Sequence, residues 1–151
     1  MAKKFSECEV IGVDISPTAV KLCRDSADKS ISNLKFIEAD FFKDDFGTFD
    51  LVFDHTFFCA INPEMRSVWG KKMAWITNKY LLTLIYPLPR DTENQVADLS
   101  SGPPFEVTFE AYEQVLKDNF NCVKVWPSDS LPPSNEKRKG RENLALWKRK
   151  S

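Results

Sequence analysis

Three short apolar runs each end on an aspartate: "EVIGVD" at Asp14, "LKFIEAD" at Asp40 and "FDLVFD" at Asp54. Between the first two, Ser16-Pro17 supplies an N-cap and a first helical residue. Ala19, Val20, Cys23 and Ala27 then recur at helical spacing, which predicts a helix from about Pro17 to about Asp28. Asn62-Pro63 repeats the signal after the third run, and Met65, Val68, Trp69, Met73 and Ile76 fall on one helical face. "YLLTLIYPL" reads as a fourth strand, "TFEAYEQVLKDNF" as an amphipathic helix opened by Thr108, and "CVKVWP" and "RENLALWKRK" as two late strands. Strand alternating with helix implies an α/β fold with a mostly parallel sheet and helices on both faces. The last two strands lack a clear helix between them and are expected to form an antiparallel edge. The chain has 151 residues and no internal repeat, so one domain is expected over 1–151.

Composition narrows the partners. The formal net charge is -1, which gives no global electrostatic case for nucleic acid or an anionic membrane. The basic tail "EKRKGRENLALWKRKS" is read as a solvated edge. Cys8, Cys23, Cys59 and Cys122 show no CxxC spacing, and His55 is the one histidine, so no metal site and no disulfide framework are expected. No apolar run is long enough to span a bilayer and no signal peptide is visible, which makes the cytoplasm the expected location. Pro87 to Pro104 is a long loop with four prolines, a length usually found in functional lids or disordered segments.

The acids carry the chemistry. In open parallel sheets, ligands bind at the carboxyl ends of the strands. An acid after one strand can accept from both hydroxyls of a ribose, because a carboxylate offers two acceptor oxygens. An acid followed by an aromatic after the next strand can bond an adenine amino group while the ring packs on the base, and "ADFF" supplies Asp40 and Phe41. One such aspartate is an ordinary turn residue. Three in register with "VDIS" and "ADFF" point to a nucleoside site. A dinucleotide would need a GxGxxG upstream, which this sequence lacks, and would leave "ADFF" without a role. S-adenosylmethionine suits both features.

The segments "VIGVDIS", "EADFF", "FDLVFDHTFFCAINPEMR", "LLTLIYPL", "SGPPFEVTFEAYEQVL" and "LALWKRK" resemble the thiol/halide methyltransferases of the thiopurine-methyltransferase-like group, from about Val10 to about Lys150. The resemblance implies a class I methyltransferase fold, a Rossmann-like three-layer sandwich. It also implies S-adenosylmethionine as donor and a small thiol or halide-like acceptor. Carried over by position, Asp14 would hold the ribose, Asp40 and Phe41 would sit at the adenine, and His55 stands where the family usually has a tyrosine beside the cofactor. Thr56, Phe57 and Phe58 would border the methyl-transfer region, with Pro103, Pro104 and Phe105 near the acceptor.

The family's first strand and glycine-rich loop are missing from this sequence. An N-terminally incomplete domain with weak or absent stand-alone activity is therefore expected. The alternative is a non-catalytic remnant that pairs its open sheet edge with a partner. No catalytic base is assigned. A halide needs none, and a free thiol, with a pKa near ~8.5, already supplies a few per cent thiolate. Cys59 has no evident partner base, and Arg66 is read as structural.

Overall fold

The computed structural model describes residues 2–90, 97–130 and 138–151. The middle of the proline-rich loop (91–96) and most of the Pro/Ser-rich connection between the late strands (131–137) lie outside the described residues. The chain divides into two compact units, Met1–Phe46 and Gly47–Ser151.

The first unit is a β-α-β element. β1 (Val10–Asp14) pairs in parallel with β2 (Leu34–Glu38), in a register that sets Val10 against Leu34 and Asp14 against Glu38. The connecting α1 (Pro17–Ser26) starts as the sequence predicts: the Ser16 hydroxyl accepts the Ala19 N–H at 3.3 Å and Pro17 occupies the first turn. It ends two residues before Asp28. The Asp28 carboxylate takes the Ser30 N–H at 3.0 Å and the Ser30 hydroxyl at 2.7 Å, a local turn that competes with continued helix. Gly12 lies opposite Phe36, and a Cβ there would come within 2.7 Å of the ring, so a larger residue would have to displace that ring.

The second unit is a four-stranded sheet in the order β3-β4-β6-β5. β3 (Phe49–His55) and β4 (Thr77–Ile85) are parallel. β6 (Asn143–Arg149) runs antiparallel to both β4 and β5 (Phe120–Trp126). The antiparallel pairing of the two late strands is as expected, with one addition. The last strand inserts between β4 and β5, so β5 forms the edge. α2 (Arg66–Ile76) runs into β4 with no intervening turn, because Thr77 is at once the helix cap and the first strand residue. α3 (Phe109–Leu116) is capped by Thr108, whose hydroxyl accepts the Ala111 N–H at 3.3 Å.

The core of this unit is aromatic. Phe58 stacks on Tyr112 with ring centroids 4.0 Å apart and meets Trp69 edge-on at 4.6 Å. Trp147 lies parallel to Phe109 at 5.3 Å and donates its buried indole N–H to the Thr83 hydroxyl at 2.9 Å. The inward face of α2 is rotated from the expected one. Trp69, Met73 and Ile76 are buried, but Met65 and Val68 are 36% and 43% exposed, and Arg66, Gly70 and Ala74 turn inward instead. Counting apolar side chains misses this face because its centre is a glycine. Gly70 lets α2 approach α3 so closely that a Cβ would sit 2.6 Å from the Val115 carbonyl oxygen.

That approach yields a prediction. Alanine at position 70 would gain about 1 kcal/mol of helix propensity. It would also push two helices apart against a backbone atom, and overpacking of this kind costs about 1–3 kcal/mol. Gly70→Ala is expected to lower the urea midpoint of unfolding, and an unchanged or higher midpoint would show that the helices can move apart at little cost.

Candidate functional site

In the first unit, Asp14 ends β1 with its side chain exposed, and one carboxylate oxygen accepts the Ser16 N–H at 2.8 Å. Among the described residues its second oxygen has no hydrogen-bond donor. The Ala39 N–H donates to the Asp14 carbonyl at 3.1 Å, which brings Asp40, the next residue, to the same carboxyl-end rim. Asp40 accepts the Phe42 N–H at 2.9 Å and pairs with Lys43 at 3.0 Å. Lys43, and then the Phe42 N–H, hold its carboxyl below the usual range. Phe41 meets Phe42 edge-on at 5.2 Å and Phe46 at 6.1 Å.

In the second unit the turn after β3 is organised by Asp54. Unlike the other two strand-ending aspartates it points inward and is only 2% exposed. Its two oxygens accept the N–H groups of Phe57 at 2.8 Å and Phe58 at 3.2 Å. Burial pushes its pKa up from 3.8 to about 6, against the pull of those two N–H groups. The turn passes through Thr56 at φ 67, a left-handed conformation that costs a side-chain-bearing residue of order 1–3 kcal/mol. The Thr56 hydroxyl donates to the His55 carbonyl at 2.6 Å, and the Cys59 thiol donates to the Thr56 carbonyl at 3.2 Å.

The other expected residues divide by position. His55 is exposed at the end of β3, edge-on to Phe53 at 5.6 Å. Phe57 is half-buried, and Phe58 is fully buried in the aromatic cluster, with the Arg66 guanidinium 4.8 Å from its ring centre. The Phe105 N–H donates to the Cys59 carbonyl at 2.8 Å, and its ring lies over Gly102, where a Cβ would come within 2.5 Å.

An open cavity of about 250 Å³ lies beside this turn. Thr56, Cys59 and Ala60 line it from the turn, Tyr86 from the end of β4, Pro103 and Pro104 from the proline loop, and Arg138 from the segment before β6. Of the residues expected from sequence, Thr56 and the two prolines meet here, whereas Phe57, Phe58 and Phe105 are not part of the lining. Sequence reasoning missed Tyr86 and Arg138, which lay hidden in a strand end and in a basic run. The Arg138 guanidinium sits 4.2 Å from the Tyr86 ring centre, a cation–π arrangement that holds the charge at the cavity. Burial first, and the Asp54 charge second, push the Cys59 thiol up to about 11, so it is neutral and poorly nucleophilic at ordinary pH. Among the described residues, no group of three or more His, Cys, Asp or Glu could hold a metal ion. None of their helices is long and apolar enough to cross a membrane.

The family described as thiopurine S-methyltransferase (TPMT) matches residues 1–150. Thiocyanate methyltransferase 1 of Brassica oleracea is 36% identical over 149 residues, covering 93% of this chain and 60% of that protein. Probable thiol methyltransferase 2 of Arabidopsis thaliana is 35% identical over 152 residues, covering 94% and 61%. The chain thus spans about three-fifths of the length of these relatives. Among solved structures, magnesium protoporphyrin IX methyltransferase of Synechocystis with bound S-adenosylhomocysteine superposes with a TM-score of 0.70 at 16% identity, covering 93% of this chain and 64% of that one. A SAM-dependent methyltransferase of Methanosarcina mazei gives 0.71 at 14% identity, covering 93% and 81%.

The buried Asp54 generates a pH prediction. A carboxyl whose pKa is higher folded than unfolded binds its proton more tightly in the folded chain. Its contribution to stability is therefore full below the unfolded value of 3.8 and is lost as pH rises through about 6. The gap corresponds to about 3 kcal/mol. Asp54→Asn removes this titration. Relative to that variant, the unaltered chain should gain up to about 3 kcal/mol of stability on going from about pH 7.5 to about pH 4, measured by urea unfolding at both values. A difference that stays constant with pH would show that Asp54 titrates normally.

Proposed function

The chain belongs to the thiopurine S-methyltransferase family, and on that premise we propose that it is an S-adenosylmethionine-dependent methyltransferase whose acceptor is a small thiol or halide-like anion held in the Arg138 cavity. Its fold is the Rossmann-like α/β fold of class I methyltransferases, shared with the two solved enzymes above. The observation that carries the acceptor reading is a cation, Arg138, fixed over Tyr86 in an otherwise largely apolar cavity. A small, weakly hydrated anion matches that combination, and the Brassica relative is named for one such anion, thiocyanate.

The residues at the rim of the first unit fit the nucleoside part of the cofactor. Asp14 has a carboxylate oxygen still able to accept a hydrogen bond, as a ribose hydroxyl requires. Asp40 is held ionised and Phe41 follows it directly, which suits the amino group and face of adenine. The family resemblance alone supports His55 as a further cofactor contact.

When bound, S-adenosylmethionine supplies a methyl group on a sulfonium centre, an electrophile with a good leaving group. The protein's own work is then orientation and desolvation. Arg138 would favour the anionic form of an acceptor thiol, since a nearby opposite charge lowers its pKa. Tyr86, Pro103 and Pro104 would give that anion an apolar flank within the open cavity. No side-chain base is required, and Cys59, as a neutral thiol, takes no proton. Holding the nucleophile in line with its target is worth about 7–11 kcal/mol in favourable cases.

Calorimetry with S-adenosylhomocysteine tests the cofactor half. The unaltered chain should bind it, and Asp14→Ala should weaken binding roughly 10- to 100-fold, the range for a lost hydrogen bond to a charged group. Absence of heat from the unaltered chain would favour the non-catalytic interaction module, and equal affinities would show the ribose assignment to be wrong. For the acceptor half, Arg138→Met should weaken thiocyanate binding by roughly tenfold or more. Undiminished binding would remove Arg138 from the site.

A further inference from the structure

We propose that Arg141, which does not line the cavity, is its positioning residue: through Glu106 and the Leu88 carbonyl it ties together the three segments that carry Tyr86, Pro103-Pro104 and Arg138. The inference rests on the reading that this cavity holds the acceptor.

One residue reaches every wall except the β3 turn, by its side chain to Leu88 and Glu106 and by its backbone to Arg138. The Arg141 Nε and Nη2 donate to the Leu88 carbonyl at 3.3 and 3.0 Å, and the Leu88 N–H returns a bond to the Arg141 carbonyl at 2.9 Å. Leu88 stands two residues after Tyr86. The same Nη2 reaches a Glu106 carboxylate oxygen at 3.1 Å, two residues after Pro104. The other Glu106 oxygen accepts the Asp98 N–H at 3.1 Å, and the Glu106 N–H donates to the Asp98 carbonyl at 3.3 Å. Asp98 in turn gathers the Ser100 N–H and the hydroxyls of Ser100 and Ser101. The stretch from 98 to 106 is thus pinned at both ends, with the two prolines between. Finally, the Arg141 N–H donates to the Arg138 carbonyl at 2.9 Å, closing the turn that presents the Arg138 guanidinium to Tyr86.

The pair is also of a different kind from the others. Arg141 and Glu106 are 25% and 16% exposed. In the pairs Lys3–Asp28, Lys21–Asp25, Lys35–Glu9, Lys43–Asp40 and Lys79–Asp50, at least one side chain is 62% exposed or more. Exposed pairs are screened and hold little in place, whereas a sheltered guanidinium with acceptors on two segments fixes a geometry. A lysine at 141 could keep the charge but not the fork.

A mutant cycle separates positioning from bulk stability. With thiocyanate as probe, Arg141→Met should raise the Kd roughly tenfold, within the span of coupled neighbours, while S-adenosylhomocysteine affinity stays unchanged. Arg141→Lys and Glu106→Gln, milder changes that serve if the Met variant does not fold, should give intermediate losses. In an Arg138→Met background, Arg141→Met should add less than about a twofold loss, because the group it positions is gone. Thiocyanate binding equal to that of the unaltered chain in all three variants, or full additivity in the Arg138→Met background, overturns the proposal. A second readout does not depend on the acceptor. The side-chain NMR signal of Arg138, displaced by the Tyr86 ring, should move to its solvent value in Arg141→Met and part of the way in Arg141→Lys. If the unaltered chain binds no thiocyanate but this signal moves, the acceptor reading fails while the positioning role stands. A signal that stays put overturns the positioning role itself.

Discussion

The buried carboxylate of Asp54 sets the local order of the second unit. A turn that must pass through a left-handed threonine has no intrinsic reason to persist. It persists because both Asp54 oxygens hold the backbone N–H groups that follow, one of them belonging to Phe58. That fixes two consequences at once. The Phe58 ring enters the cluster with Tyr112 and Trp69, and the opposite side of the turn, Thr56 and Cys59, becomes one wall of the cavity. Core and site share one bracket, so neither can be altered at this point without the other.

The rest of the cavity comes from far along the chain. Tyr86 follows directly on β4, the prolines come from a loop, and Arg138 precedes the last strand, which itself inserts into the sheet beside β4. Because β6 pairs with β4, the segment leading into it passes beside the end of β4, where the Leu88 N–H donates to the Arg141 carbonyl and the Leu88 carbonyl accepts from the Arg141 guanidinium. Among the described residues, the cavity lining offers a cation, two hydroxyls, a neutral thiol and otherwise apolar walls. On the proposed reading, such a lining suits a nucleophile that is already anionic. It would serve poorly for an acceptor that must first lose a tightly held proton.

Much of the architecture was legible because its causes are local. Ser16-Pro17, Asn62-Pro63 and Thr108 start helical turns where the sequence predicts, since a cap needs only neighbours three residues away. The strands were visible as apolar runs, and the antiparallel late pair followed from the lack of a helix between them. The errors also have local roots. The first helix stops early at the Asp28–Ser30 turn. The second turns a glycine face to its neighbour, and a count of apolar side chains gives that face no weight.

The sequence by itself determined the element types, their order and the rim aspartates Asp14 and Asp40, because periodicity and capping are short-range and strand ends define a rim. Only the tertiary structure decided which of three similar aspartates is buried, which phenylalanine belongs to the core, and that an arginine from a basic tail faces a tyrosine some fifty residues earlier. Those outcomes depend on contacts between segments distant along the chain. Their energies come from desolvation and packing, and no local pattern of residue types records where such contacts will form.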